Sequence, residues 1–252
     1  MNFSDPSNMF EWIVYLVNEY HSIFLEGMWI TLYISVIGTI IGFILGYLVG
    51  IVQDLKINKE DHIIKRIIMR FFKVICVIYV EIFRGTPMIV QAMIIYYGLL
   101  QSGVKISPIL AGILVTVLNT GAYMAETVRG GIKSIDVGQK EGAWSLGMSP
   151  MMTMLRVVLP QAFRNVIPEM VNTFLTNLKM TSVLNVIGVS ELFLAAKTAG
   201  GTYYKYFEAY IVVGIIYFVL CFVFNRLFIV LEKKIARRND YELAVEYMED
   251  KM

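Results

Sequence analysis

Residues 134–160 read S-I-D-V-G-Q-K-E-G-A-W-S-L-G-M-S-P-M-M-T-M-L-R-V-V-L-P, a polar loop between two long hydrophobic segments. The residue chemistry predicts two short helices meeting at a corner. Asp136 and Gln139 are placed to cap the first helix, in which Val137, Lys140, Glu141 and Trp144 recur at helical spacing. Gly147 suits the left-handed conformation that ends a helix. Ser149 can cap the second helix, with Pro150 at its first position. Trp144, Leu146 and Met148 gather at the corner. Such an apolar knob suits insertion into a partner's groove, and equally an amphipathic helix lying on a membrane.

The rest of the chain is built for lipid. Of 252 residues 57% are apolar and only 17% charged, with a mean hydropathy of +0.64. This composition points to a polytopic, all-α membrane protein. Residues 1–26 are expected to form an extracellular or interfacial segment, because Phe10, Trp12, Tyr15 and Tyr20 alternate with Glu11 and Glu19. Five spans are expected, near 27–53, 87–101, 108–128, 161–190 and 207–230, within a transmembrane domain at 27–230 and ahead of a charged tail at 231–252. Gly38, Gly42, Gly46 and Gly50 repeat every four residues in the first span, a stripe where another helix can approach closely. The apolar run 74–83 is too short to span and reads as an interfacial helix. It ends at Arg84-Gly85-Thr86-Pro87, where Thr86 can cap the next helix, and Ser107-Pro108 repeats the signal.

Of the 22 Lys and Arg, 18 fall in 54–86, 129–164 and 226–252, and three (Lys105, Lys197, Lys205) fall between the other spans. By the positive-inside rule the loop at 132–160 and the C-terminus are cytoplasmic and the N-terminus is outside. That places Arg84 inside.

Read as E-G-A-x3-G-x9-V-x-L-P, the stretch from Glu141, Gly142 and Ala143 through Gly147 to Val157, Leu159 and Pro160 resembles the coupling loop of bacterial ABC-importer permeases, usually E-A-A-x3-G-x9-I-x-L-P. Three more strings resemble the polar amino-acid, histidine/glutamine-type branch of that family. They are Glu81-Ile82-Phe83-Arg84-Gly85-Thr86-Pro87; Ala122-Tyr123-Met124-Ala125-Glu126 continuing through Arg129-Gly130-Gly131-Ile132; and Leu178-Lys179-Met180-Thr181-Ser182-Val183 with Glu191-Leu192 downstream. The resemblance implies the type I importer-permease fold in a bacterial inner (plasma) membrane, working as a pair of permeases. It implies an ATPase subunit dimer that holds ATP and Mg, and an extracellular amino-acid-binding protein. Glu141, Gly142, Ala143, Trp144, Leu146 and Gly147 are then the ATPase-coupling residues. Gly142 departs from the usual Ala, and Met180 stands where Asp or Asn is frequent.

Polar side chains inside spans are costly and point to function. Thr116, Asn119, Tyr123 and Glu126 share one face of the third span; Glu169, Asn172, Thr176, Lys179 and Ser182 share one face of the fourth. With Asn177, Met180 and Thr181 these are the candidate substrate path. The competing reading makes them glue between helices, with Glu169 or Glu191 as counter-charge for Lys179. Cys76, Cys221, His21 and His62 are isolated, so no metal site is expected. The chain has no phosphate-binding G-x4-G-K-[S/T] loop and no catalytic cluster in a span, so it is expected to bind no cofactor and do no chemistry itself. No nucleic-acid partner is expected. A stand-alone secondary transporter or channel is the competing function, weakened by the lack of an internal repeat. Met180 beside Lys179 argues for a neutral, acidic or sulfur-containing amino acid over arginine or lysine.

Overall fold

A computed structural model describes residues 6–55, 57 and 62–237, with side chains to residue 230. Most of the charged tail at 231–252 lies outside the described residues. The described residues are almost entirely helical. The first helix, α1 (Met9–Asp54), has 46 residues and bends at Tyr20, whose φ of −109° and ψ of 15° leave the helical region. The bend falls within the expected interfacial segment 1–26, and the helix runs on from there into the first span. Asn8 caps the helix by accepting from the Glu11 amide at 3.0 Å, and Leu16 and Phe24 are buried in the bundle. At 1.5 Å per residue α1 runs about 69 Å, more than twice a hydrocarbon core.

Next come α2 (Ile63–Gly85) and α3 (Met88–Gln101). The expected short helix at 74–83 is the second half of a 23-residue one. Its basic first half is polar on one face and apolar on the other, and so reads in sequence as a charged loop. Thr86 does not cap α3: its hydroxyl donates back to the Ile82 carbonyl at 2.7 Å, and Pro87 takes the cap position. The break is level with the middle of α4 (Pro108–Lys133), where Asn119 reaches the Phe83 carbonyl at 3.4 Å. Ser107 does cap α4, accepting from the Leu110 amide with Pro108 in the first turn.

α1 and α4 form the backbone of the bundle. A Cβ on Gly46 would stand 2.7 Å from the Gly121 carbonyl, and one on Gly50 2.7 Å from that of Ala125. Gly38 and Gly42 face Thr116 and Thr120 in the same way. The four-residue glycine repeat thus brings two helix backbones together, as its spacing predicted.

The loop helices α5 (Val137–Ser145) and α6 (Pro150–Thr153) lead through one wide π turn (Met154–Val158) into α7 (Leu159–Met180). The expected fourth span ends early. After Met180 the chain tightens into a 3-10 turn (Thr181–Ile187), Gly188 takes a φ of +85°, and α8 (Leu192–Tyr203) leaves at 56°. Glu191 caps α8, accepting from the Phe193 and Leu194 amides at 2.7 and 2.9 Å and from the Tyr217 hydroxyl at 3.2 Å. Finally α9 (Tyr206–Arg237) packs on α8 and α1 around Ala195, Ala199, Ala209 and Val213.

Among the described residues three helices are long and apolar enough to cross a membrane, Met9–Asp54, Pro108–Lys133 and Tyr206–Val230, or four where the bent pair Pro150–Ile187 and Leu192–Tyr203 counts as one span. The expected second span is a helix of 14 residues, too short to cross alone.

Candidate functional site

The loop forms the expected corner by local chemistry. Asp136 caps α5 by accepting from the Gly138 amide at 2.6 Å. Gly147 ends the helix at φ +79°. Its amide donates to the Trp144 carbonyl at 2.9 Å, and the Met148 amide donates to that of Ala143 at 3.1 Å. These two bonds close the helix end and fix the angle at which the chain leaves. Ser149 caps α6 by accepting from the Met152 amide. Ala143 is buried beneath the corner, and Glu141 and Gly142 lie on its surface. Trp144 and Leu146 project into solvent, Leu146 at 84% exposure. Open space surrounds Gly142, where a Cβ would meet nothing within 4 Å.

The two polar faces do not meet each other within the chain. The α4 face turns toward the α2–α3 break. Asn119 donates to Gln91 Oε1 at 3.0 Å. The Arg84 guanidinium lies 5.7 Å over the Tyr123 ring and 3.8 Å from Glu126, which also pairs with Arg129. Thr116 is buried and bonded within its own helix. On α7, Glu169, Asn172, Thr176, Lys179 and Met180 are exposed in a row, and Asn172 donates to Glu169 at 3.4 Å. Ser182, half-buried, donates to the Lys179 carbonyl.

Two candidates leave the row. Asn177 is buried and donates to Thr39 at 2.8 Å and Thr120 at 2.9 Å, tying α7 to α1 and α4. Thr181 is buried and bonded to the Leu178 carbonyl. Both belong to the bundle interior, Asn177 joining three helices and Thr181 bonded within its own turn. Glu191 spends its oxygens on capping α8, and neither it nor Glu169 forms an ion pair with Lys179.

Gln91 was missed by the sequence reading. Its buried amide donates to the Phe83 carbonyl at 2.8 Å and the Thr86 carbonyl at 2.9 Å, closing the backbone that the break leaves open. A lone amide four residues after Pro87 in an apolar run was its signal.

Residues 63–237 match the family of binding-protein-dependent transport system inner membrane components. The chain belongs to that family. A putative glutamine transport system permease protein of Rickettsia conorii is 33% identical over 229 residues, covering 90% of this chain and 98% of that one. An arginine transport system permease protein of Bacillus subtilis is 39% identical over 163 residues, 64% of this chain and 74% of that one. The crystal structure of an amino acid ABC transporter with histidines superposes with a TM-score of 0.78 at 32% identity, over 91% of this chain and all of that one. The MetNI methionine ABC transporter, at 21% identity and a TM-score of 0.62, shares the fold. This family member is thus an ABC-transporter permease in an inner membrane, with the importer-permease fold, and its relatives are transport subunits. The stand-alone carrier or channel is not favoured.

Proposed function

We propose that this family member is the permease subunit of an ATP-driven importer of polar amino acids. The corner at Trp144 and Leu146 docks on a separate ATPase subunit, where ATP and Mg bind and hydrolysis occurs. One observation carries the reading: an apolar knob held at a fixed angle by a closed helix end, with its side chains in solvent. An exposed tryptophan on a rigid corner, with a leucine beside it, is suited to a partner's pocket. Glu141, Gly142, Ala143 and Gly147 set the surface and geometry of that contact.

The exposed row Glu169, Asn172, Thr176, Lys179, Met180 lacks an opposite wall in one chain. A second permease copy supplies that wall, so the path forms between two chains, above an ATPase dimer and below an extracellular binding protein. Asn119, Tyr123, Glu126 and Ser182 border the path near the α2–α3 break. The N-terminus is outside and the C-terminus cytoplasmic, on the count of basic residues. α2 and α3 together make the remaining crossing, which gives five. Met180 and Lys179 favour a neutral, acidic or sulfur-containing amino acid.

The test is reconstitution of the permease with its ATPase and binding protein, followed by uptake from a panel of amino acids. Substrate-stimulated ATP hydrolysis coupled to uptake is the expected result. A permease that purifies without an ATPase and moves amino acids alone overturns the proposal.

A further inference from the structure

Arg66, Arg70 and Lys73 are four and three residues apart on α2 and share one face. Ile64, Ile68, Phe71, Ile75, Ile78 and Ile82 alternate at the same spacings and share the opposite face. All six are between 46% and 62% exposed. The helix has two surroundings. From Cys76 onward the flank between these two faces meets the bundle. There Gln53 donates to the Cys76 carbonyl at 3.1 Å, Tyr79 donates to the Leu118 carbonyl at 2.6 Å, and Val80 is buried against Val49 and Ala125. Gln53 is one residue from the end of α1, so residues 63–73 project beyond it, and none of them is buried. The apolar stripe runs on without interruption from the packed half into the projecting half.

A helix with one long apolar face and one cationic face, continuous with a membrane-embedded segment, fits the boundary between acyl chains and headgroups. We infer that the first half of α2 lies in the headgroup layer of the cytoplasmic leaflet, with Arg66, Arg70 and Lys73 on the phosphates of anionic lipids. The apolar stripe faces the acyl chains along the whole helix. An outward tilt of the helix where it leaves the bundle would turn the stripe up toward the bilayer and the basic face toward the headgroups and water. The inference rests on the orientation proposed above.

The test uses Phe71→Cys in a chain with Cys76 and Cys221 replaced by Ala, carrying an environment-sensitive fluorophore. The protein is placed in vesicles of phosphatidylcholine, with or without phosphatidylglycerol, that carry quenchers on the acyl chains. Phosphatidylglycerol should increase quenching, and added salt should remove the increase without any mutation. Arg66→Gln, Arg70→Gln and Lys73→Gln should each weaken the response, by about five-fold per charge lost. Arg70→Gln, the most exposed of the three positions, serves where either of the other variants fails to fold. Quenching that ignores phosphatidylglycerol overturns the inference. So does a label that no lipid reaches, because a second copy or another protein then covers the stripe. An impermeant quencher added outside intact cells separates the two readings. If it reaches the label, the orientation is wrong; an inward label indifferent to phosphatidylglycerol refutes only the lipid contact.

Discussion

Asn177 on α7 donates to Thr120 on α4 at 2.9 Å, deep in the bundle and away from the exposed row on its own helix. With Thr39 at 2.8 Å it joins three helices through one side chain. Hydrogen bonds between membrane helices contribute about 0.6–2 kcal/mol. Asn177→Ala should therefore lower thermal stability in detergent, and Thr176→Val on the exposed row should leave it unchanged. Equal melting temperatures for Asn177→Ala and the parent would show that the triad holds nothing together.

Glycine substitutions should separate packing from propensity. Gly46→Val drives a side chain into the Gly121 carbonyl and Met124. Overpacking of this kind costs about 1–3 kcal/mol or more, and the backbone contact leaves nothing to repack. Gly142→Ala meets open space and gains about 1 kcal/mol of helix propensity. Melting curves should show loss for the first and a small gain for the second.

At the corner, Gly147→Val places a β-branched residue at φ +79°, a cost of about 1–2 kcal/mol, and changes the exit angle of the chain. Leu146→Ala removes an 84% exposed side chain and should not move the melting temperature. Both should reduce co-purification with the ATPase and abolish coupled uptake. A Leu146→Ala permease that loses stability but keeps its ATPase would place the leucine in the fold and not in the partner.

Sidedness is checked with cysteines. A cysteine replacing Val104, just ahead of α4, should react with an impermeant reagent outside intact cells. One replacing Leu146, exposed on the loop proposed to be cytoplasmic, should not. Labelling of position 146 from outside contradicts the proposed orientation.

Met180→Asp should shift uptake toward cationic amino acids, because a carboxylate then stands on the exposed row beside Lys179. Arginine as the best substrate of the parent chain would refute the preference.

What was legible in the sequence was whatever is decided within a few residues. Asp136, Gly147 and Ser149 cap by contacts to neighbours two to five positions away, so the corner could be read directly. The glycine repeat was legible because only one residue type at one period brings two backbones together. The α2 helix was not: Arg66, Arg70 and Lys73 suggest a loop until the isoleucines opposite are set on the same helix. The polar spans were half legible. Their polarity shows that Asn177 and Lys179 are used, but an amide that binds two threonines and one that meets a solute look alike until the helices are placed. The turn from the 3-10 segment into α8 rests on Gly188, whose left-handed backbone matters only because α8 must turn back toward Thr31 and Tyr217.

The contact between α1 and α4 has a mechanical consequence. Two helices whose backbones touch have no layer of side chains between them that can shear. Sliding one past the other by a turn would drive Thr116, Thr120 and Met124 across the ridges between glycines. The pair acts as a single strut, and bending in the molecule falls to its joints: the wide turn at Met154–Val158, the tightened turn at Thr181–Ile187 and the break before Pro87.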